Sequence, residues 1–213
     1  MFTRTRLLVA IGLALAVTAP AQAQDDNFWQ NKWFWGAQGG SYLFKVGGST
    51  EAAASVGGHW FVTAGRSALY LGFDQLFITS ATTTLSTGRQ VGFDQAQRIQ
   101  ASVYAMPSVS NLHIFLGGGF AIQHITDAEP MGTFATPSEL VIAQNQIDDL
   151  STKAFAVLGG GVQWHWLDRW AVFGQYQYMP ASDDFLISSA QHTVFGGVRF
   201  ALTTSKEAVA AND

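Results

Sequence analysis

Cysteine is absent from all 213 residues, so neither disulfides nor thiolate–metal sites can hold this fold together. Charge is scarce too. Asp, Glu, Lys and Arg make up 12% of the chain, against roughly 25% in an average soluble domain. No clustered Lys or Arg forms a basic patch, which excludes nucleic acid as an expected partner. Past the N-terminus, no apolar run approaches the ~20 residues of a membrane-crossing helix. A chain this poor in charge and without long apolar runs must place its apolar side chains in alternation, and a period of two is the test.

The N-terminus stands apart. Arg4 and Arg6 precede an uncharged apolar stretch, Leu7 to Val17, and Ala21-Gln22-Ala23 supplies the small-x-small pattern of a cleavage site. Residues 1–23 therefore read as a signal peptide, too short in its apolar core to span a membrane. Removing them deletes two cations and no acid, taking the formal net charge from −4 to −6. About 190 residues remain, enough for one domain with a sizeable core.

The period of two is present throughout that remainder. From Leu112 to Ile122 the even positions read Leu, Ile, Leu, Gly, Phe and Ile, against His113, Phe115, Gly117, Gly119 and Ala121. Ile99 to Ala105 and Ala154 to Trp166 repeat the scheme. Each run is a strand with one apolar face and one small or polar face. Eight such strands are expected, near 33–45, 52–62, 68–79, 93–106, 111–125, 152–166, 169–179 and 190–202. The fold class is all-β, an antiparallel up-and-down transmembrane β-barrel. It is preceded by a periplasmic segment, 24–32, occupies 33–203, and ends in a polar tail, 204–213.

Links after strands two, four and six are short, whereas those after strands three, five and seven are longer. Short periplasmic turns opposite longer extracellular loops characterise transmembrane barrels. All seven tryptophans then fall at the short-turn end. Trp29 precedes the barrel, while Trp33, Trp35, Trp60, Trp164, Trp166 and Trp170 sit at strand ends there, as an aromatic girdle at a lipid–water interface requires. The alternation also decides which face is out. The face opposite the aliphatic one carries Gln, Arg, Asp, His and Gly. That face belongs in the lumen, and the apolar face in lipid.

The last strand adds a resemblance. Val194, Gly196, Val198 and Phe200 alternate with Phe195, Gly197 and Arg199, similar to the aromatic-ended terminal strand of small outer-membrane barrels of the OmpA/OmpX type. The resemblance implies an outer-membrane location in a Gram-negative-type bacterium. It implies recognition of Phe200 by the barrel-assembly machinery, and outer-membrane lipids with lipopolysaccharide around the wall. Members of that superfamily commonly stop at the aromatic residue, whereas thirteen residues follow Phe200 here. A closed barrel has no free sheet edge, so a monomer is expected.

Residues with chemistry are few. Asp74 and Arg98 are expected to face each other across strands three and four, with Asp94 and Arg199 adding inward charge, a network that fills a narrow lumen. His59, His113 and His165 are expected inward near the periplasmic end, with His113 directly opposite His165. Two imidazoles fall short of the three ligands of a catalytic zinc site, so no metal or cofactor is assigned. Outer-membrane lipid A deacylases place a serine two residues after a histidine, and none of the five histidines is so followed. His124-Ile125-Thr126 comes nearest.

The glycine runs 117–119 and 159–161 lack the Lys-Ser/Thr ending of a phosphate loop and are expected to make room for Phe115 and Phe155. A structural or interaction role for the barrel and its loops is the first expectation. A lipid A-modifying enzyme and a narrow passive channel are the alternatives. The loop 126–151 mixes Leu140, Val141 and Ile142 with acids, which fits either a short amphipathic helix over the mouth or a docking surface.

Overall fold

The structure is a computed structural model and describes residues 31–107, 112–167 and 169–202. The signal peptide, Trp29 and the polar tail lie outside the described residues. Eight long strands form the wall: β1 (Trp33–Val46), β2 (Ser49–Ala64), β3 (Ser67–Thr84), β4 (Gln90–Ala105), β5 (Leu112–Thr126), β7 (Thr152–Leu167), β8 (Trp170–Met179) and β9 (Gln191–Ala201). Between β5 and β7 come a two-residue strand, β6 (Glu129–Pro130), beside β4, and one helix, α1 (Pro137–Ser151). Pairing runs β3-β2-β1-β9-β8-β7-β5-β4, all antiparallel, and β3 pairs with β4 to close the ring. The expected eight-stranded up-and-down barrel is the observed one.

Closure explains how so little charge and no disulfide suffice, because every long strand is paired on both sides. The β1–β2 hairpin turns through Gly47 and Gly48 at φ 56° and 85°, values only glycine adopts without strain. Glycines that face the lumen make room there. A Cβ at Gly36 would strike the His59 imidazole, and one at Gly161 would lie 2.7 Å from Cζ of Phe115. Phe155 is different: no glycine faces it, and it stacks edge-on against Phe185, centroids 5.2 Å apart. Gly39 points outward, and a Cβ there meets nothing closer than the Ser55 carbonyl at 3.5 Å. Gly36→Ala is therefore expected to cost about 1–3 kcal/mol. Gly39→Ala should stay within about 0.5 kcal/mol. Urea midpoints of the two variants in one micelle system would check the contrast.

β3 and β4 run beyond the expected boundaries, leaving only residues 85–89 as the loop between them. Thr82, Thr83 and Thr84 suit a strand, but the extension is not in simple register. Phe77 pairs with Gln95 and the next pair is Ala81 with Phe93, so β3 carries two extra residues, with Ser80 at φ 53°. This bulge reverses the alternation. Below it Leu76 and Ala96 face inward; above it Ala81, Phe93 and Val91 do. Asp94, expected in the lumen, is consequently exposed on the outside.

The two surfaces of the wall are sided oppositely along its height. Toward the tryptophan end the outside is apolar, with Leu71, Phe73, Ile99, Val103, Leu116, Phe120 and Leu158 all exposed. Toward the other end, the mouth, the outside carries Lys45, Thr79, Asp94 and Gln97. There the inside is apolar, holding Tyr42, Phe44, Ile78, Phe93 and Phe155. The expected polar inner face thus describes the lumen from mid-height toward the tryptophan end, where Thr63, His113, Gln163 and His165 are buried, but not the mouth.

Candidate functional site: a sealed lumen under a plugged mouth

At mid-height the lumen is a layer of hydrogen-bonded polar groups. Asp74 on β3 lies directly opposite Arg98 on β4, as expected. Arg98 donates to Oδ2 of Asp74 from Nη2 at 2.9 Å and from Nε at 3.2 Å, and Nη1 donates to Thr193 Oγ1 at 3.2 Å. Gln38 donates to the other carboxylate oxygen and to the Tyr70 hydroxyl. Both charged side chains are wholly buried, and a Cβ at Gly57 would collide with Asp74. Gln123 donates to the Tyr42 hydroxyl at 2.9 Å, which in turn donates to Gln191. Buried from solvent, a pair this fully bonded is a register lock, because neither partner can leave without stranding the other.

Arg199 is held differently. It is fully buried, and among the described residues no carboxylate pairs with it. Its guanidinium lies over Phe61 at 3.8 Å and Phe173 at 4.1 Å, so ring faces take the place of an anion. Nε donates to Nε2 of His59 at 2.9 Å, and Nη1 donates to Gln163. Asp94 was expected in this network, and the β3–β4 bulge removes it.

The histidines come closer together than their strands suggested. His59, His113 and His165 are all buried. His113 sits opposite Gln163 rather than His165, a slip of two residues from the expected register. Phe115 opposite Gly161 explains it, because the large ring needs the bare backbone across from it. The rings of His113 and His165 still meet edge to face at 5.0 Å, as diagonal neighbours can. Gln163 joins His165 Nε2 at 2.9 Å, so one chain runs His59, Arg199, Gln163, His165. His59 offers Nε2 to a guanidinium, which takes that nitrogen out of reach of a cation. Among the described residues no group of three or more metal-ligating side chains gathers.

Apolar clusters close the lumen on both sides of this layer. Phe34, Phe61, Tyr70, Tyr104, Met106 and Phe115 pack at the tryptophan end among the buried polar side chains of His113, Gln163 and His165. At the mouth the β8–β9 loop turns Phe185, Leu186 and Ile187 inward, where they are buried with Ile147 of α1. The backbone N–H of Leu186 donates to Leu150 O at 3.1 Å, and Lys45 N–H donates to Ser189 Oγ at 2.7 Å, fastening the plug to helix and wall. Helix α1 starts where the chain prescribes it. Thr136 caps the Glu139 N–H at 3.3 Å, Pro137 opens the first turn, and Glu139 meets Arg89 at 2.9 Å. The plug was not foreseen, and its only signal was three large apolar residues beside Asp183 and Asp184. The paired substitution Phe185→Ala/Ile187→Ala is expected to loosen the mouth while leaving the barrel closed. Protease nicking within 137–151 should then accelerate several-fold, with the wall fragment intact.

Six girdle tryptophans are among the described residues. Trp33, Trp35, Trp60, Trp166 and Trp170 are exposed and Trp164 half-buried. Trp35 and Trp60 stack edge-on at 4.7 Å, and Phe200 pairs across to Trp35 and Trp170. His124 lies on the outer surface, its Nδ1 2.7 Å from Thr152 Oγ1 rather than beside a serine.

A closed eight-stranded antiparallel wall, apolar outside over much of its height and filled within, defines the class: the small up-and-down β-barrels. No family model and no curated protein matches the chain. Solved structures do. Neisserial surface protein A superposes with a TM-score of 0.55 at 11% identity, over 79% of this chain and 96% of that one. The N-terminal β-barrel domain of OprF from Pseudomonas aeruginosa superposes with a TM-score of 0.51 at 12% identity, over 81% of this chain and 98% of that one. At such identity the likeness is one of fold.

Proposed function

We propose that this chain is a Gram-negative outer-membrane protein with a structural or interaction role, a non-conducting barrel that presents a folded mouth outside the cell. The observation that carries this reading is the filled lumen: among the described residues a hydrogen-bonded layer lies between two buried clusters rich in apolar side chains, which favours a barrel without an aqueous path. The apolar outer belt with tryptophans at one end fits a bilayer, and the short turns at that end fit the periplasmic side. Export through residues 1–23, assembly through the strand ending at Phe200, and lipid with lipopolysaccharide around the wall belong to the same reading. The mouth is ordered by a capped helix and a buried plug. Its exposed rim is acidic, with Asp127, Glu129, Asp148, Asp149 and Asp183, so its charge favours cationic partners.

Conductance across planar bilayers tests the central point. The refolded protein is expected to insert and give no steady current at 1 M salt. A stable ohmic conductance from single insertions would sink the sealed-lumen reading in favour of a channel.

A further inference from the structure

On the outer wall, a hollow of about 520 Å³ opens across β1 to β5 near the tryptophan end. Its shape follows from two neighbouring cross-strand rows. One runs Trp60, Leu71, Ala101, Phe120, with the small Ala101 between large side chains. In the other, Gly58 lies beside Phe73. Trp35 stacks on Trp60 at the rim. We infer that this hollow seats an acyl chain of a glycerophospholipid from the periplasmic leaflet, an inference that rests on the membrane-spanning reading above.

Three observations carry it. First, the projecting walls are apolar and exposed, from Trp60 at 38% to Phe120 at 72%. In a bilayer, a recess so lined holds neither water nor a void, since water finds no polar partners there and a void forfeits dispersion contacts. Second, the recess is not a by-product of internal packing. A Cβ at Gly58 would meet only the Gly36 carbonyl, at an ordinary 3.6 Å, whereas one at Gly57 or Gly36 would collide with lumen side chains. The wall could carry a side chain at Gly58 and does not. Third, the hollow lies on the Trp35–Trp60 side of the belt. Indoles mark headgroup level there, which places the recess in the leaflet of the short turns. A chain in the groove would leave its headgroup near the indole N–H groups.

Native mass spectrometry of protein reconstituted in phosphatidylethanolamine/phosphatidylglycerol vesicles and gently re-extracted tests this. Wild type is expected to retain one phospholipid per barrel. Gly58→Leu and, separately, Ala101→Leu fill the recess and should cut retention at least tenfold. Gly196→Leu adds the same side chain elsewhere on the belt, where a Cβ meets only Phe173 O at 3.7 Å, and should retain lipid as wild type does. A heat-dependent shift on gels confirms that each variant is folded, and either filling variant alone suffices. Equal retention by a folded, filled variant overturns the assignment, as does an inserted wild type that retains none. A doubled protein mass abolished by filling would make the occupant a second copy and overturn it too. Failure of wild type to float with vesicles would instead bring down the membrane reading itself.

Discussion

Asp74→Ala is expected to destabilise the barrel by about 3–5 kcal/mol, because it strands the Arg98 guanidinium where, among the described residues, no other acid is buried. The loss has several parts. Both Arg98 donations to Oδ2 vanish, and Gln38 loses its acceptor. Arg98 would keep Thr193 and the Phe195 face at 5.2 Å, too little to replace an anion. Adding Arg98→Met should recover much of the loss, since an apolar pair of similar volume avoids the desolvation both ions suffer. Urea unfolding in micelles, followed by tryptophan fluorescence, gives the three midpoints. A single variant with the wild-type midpoint would show that the pair contributes nothing to stability.

Arg199→Ala should be comparably damaging, by roughly 3–5 kcal/mol, although no salt bridge is broken. Two ring faces lose their cation, and His59 and Gln163 lose their donor while remaining buried. The informative comparison is Arg199→Lys, which preserves the charge. An ammonium cannot lie flat between Phe61 and Phe173 while donating to both His59 and Gln163, so lysine should rescue little. Full recovery by lysine would mean that charge alone matters there and that the planar sandwich is incidental.

Most of the wall was readable because alternation is read locally. Each long strand announces its outward-facing or lumen-facing side within a few residues, and Asp74 faces Arg98 in the regular part of the β3–β4 ladder, which runs unbroken from Ser67 opposite Ala105 to Phe77 opposite Gln95. Asp94 escaped because the β3–β4 bulge lies between it and Arg98, and two extra residues near Ser80 leave no mark on composition. The His113 partner was displaced by steric demand, Phe115 against Gly161, which hairpin counting does not contain. The mouth plug was opaque for another reason. Phe185, Leu186 and Ile187 have no period and sit in a loop flanked by acids, so only the folded wall shows where three apolar side chains could go.

The length of β3 has a consequence for how the protein stands in its surroundings. Its 18 residues rise about 3.3 Å each and, tilted near 45°, reach ~40 Å, whereas the apolar belt of such barrels is only ~25 Å tall. On the proposed membrane reading, some ~15 Å of the β3 side of the wall therefore clears the hydrocarbon as a pedestal, apolar within and hydrophilic without. Helix α1 stands at that rim, so on the same reading a macromolecule approaching from outside reaches its exposed Val141 and Ile142 without first parting the lipid headgroups.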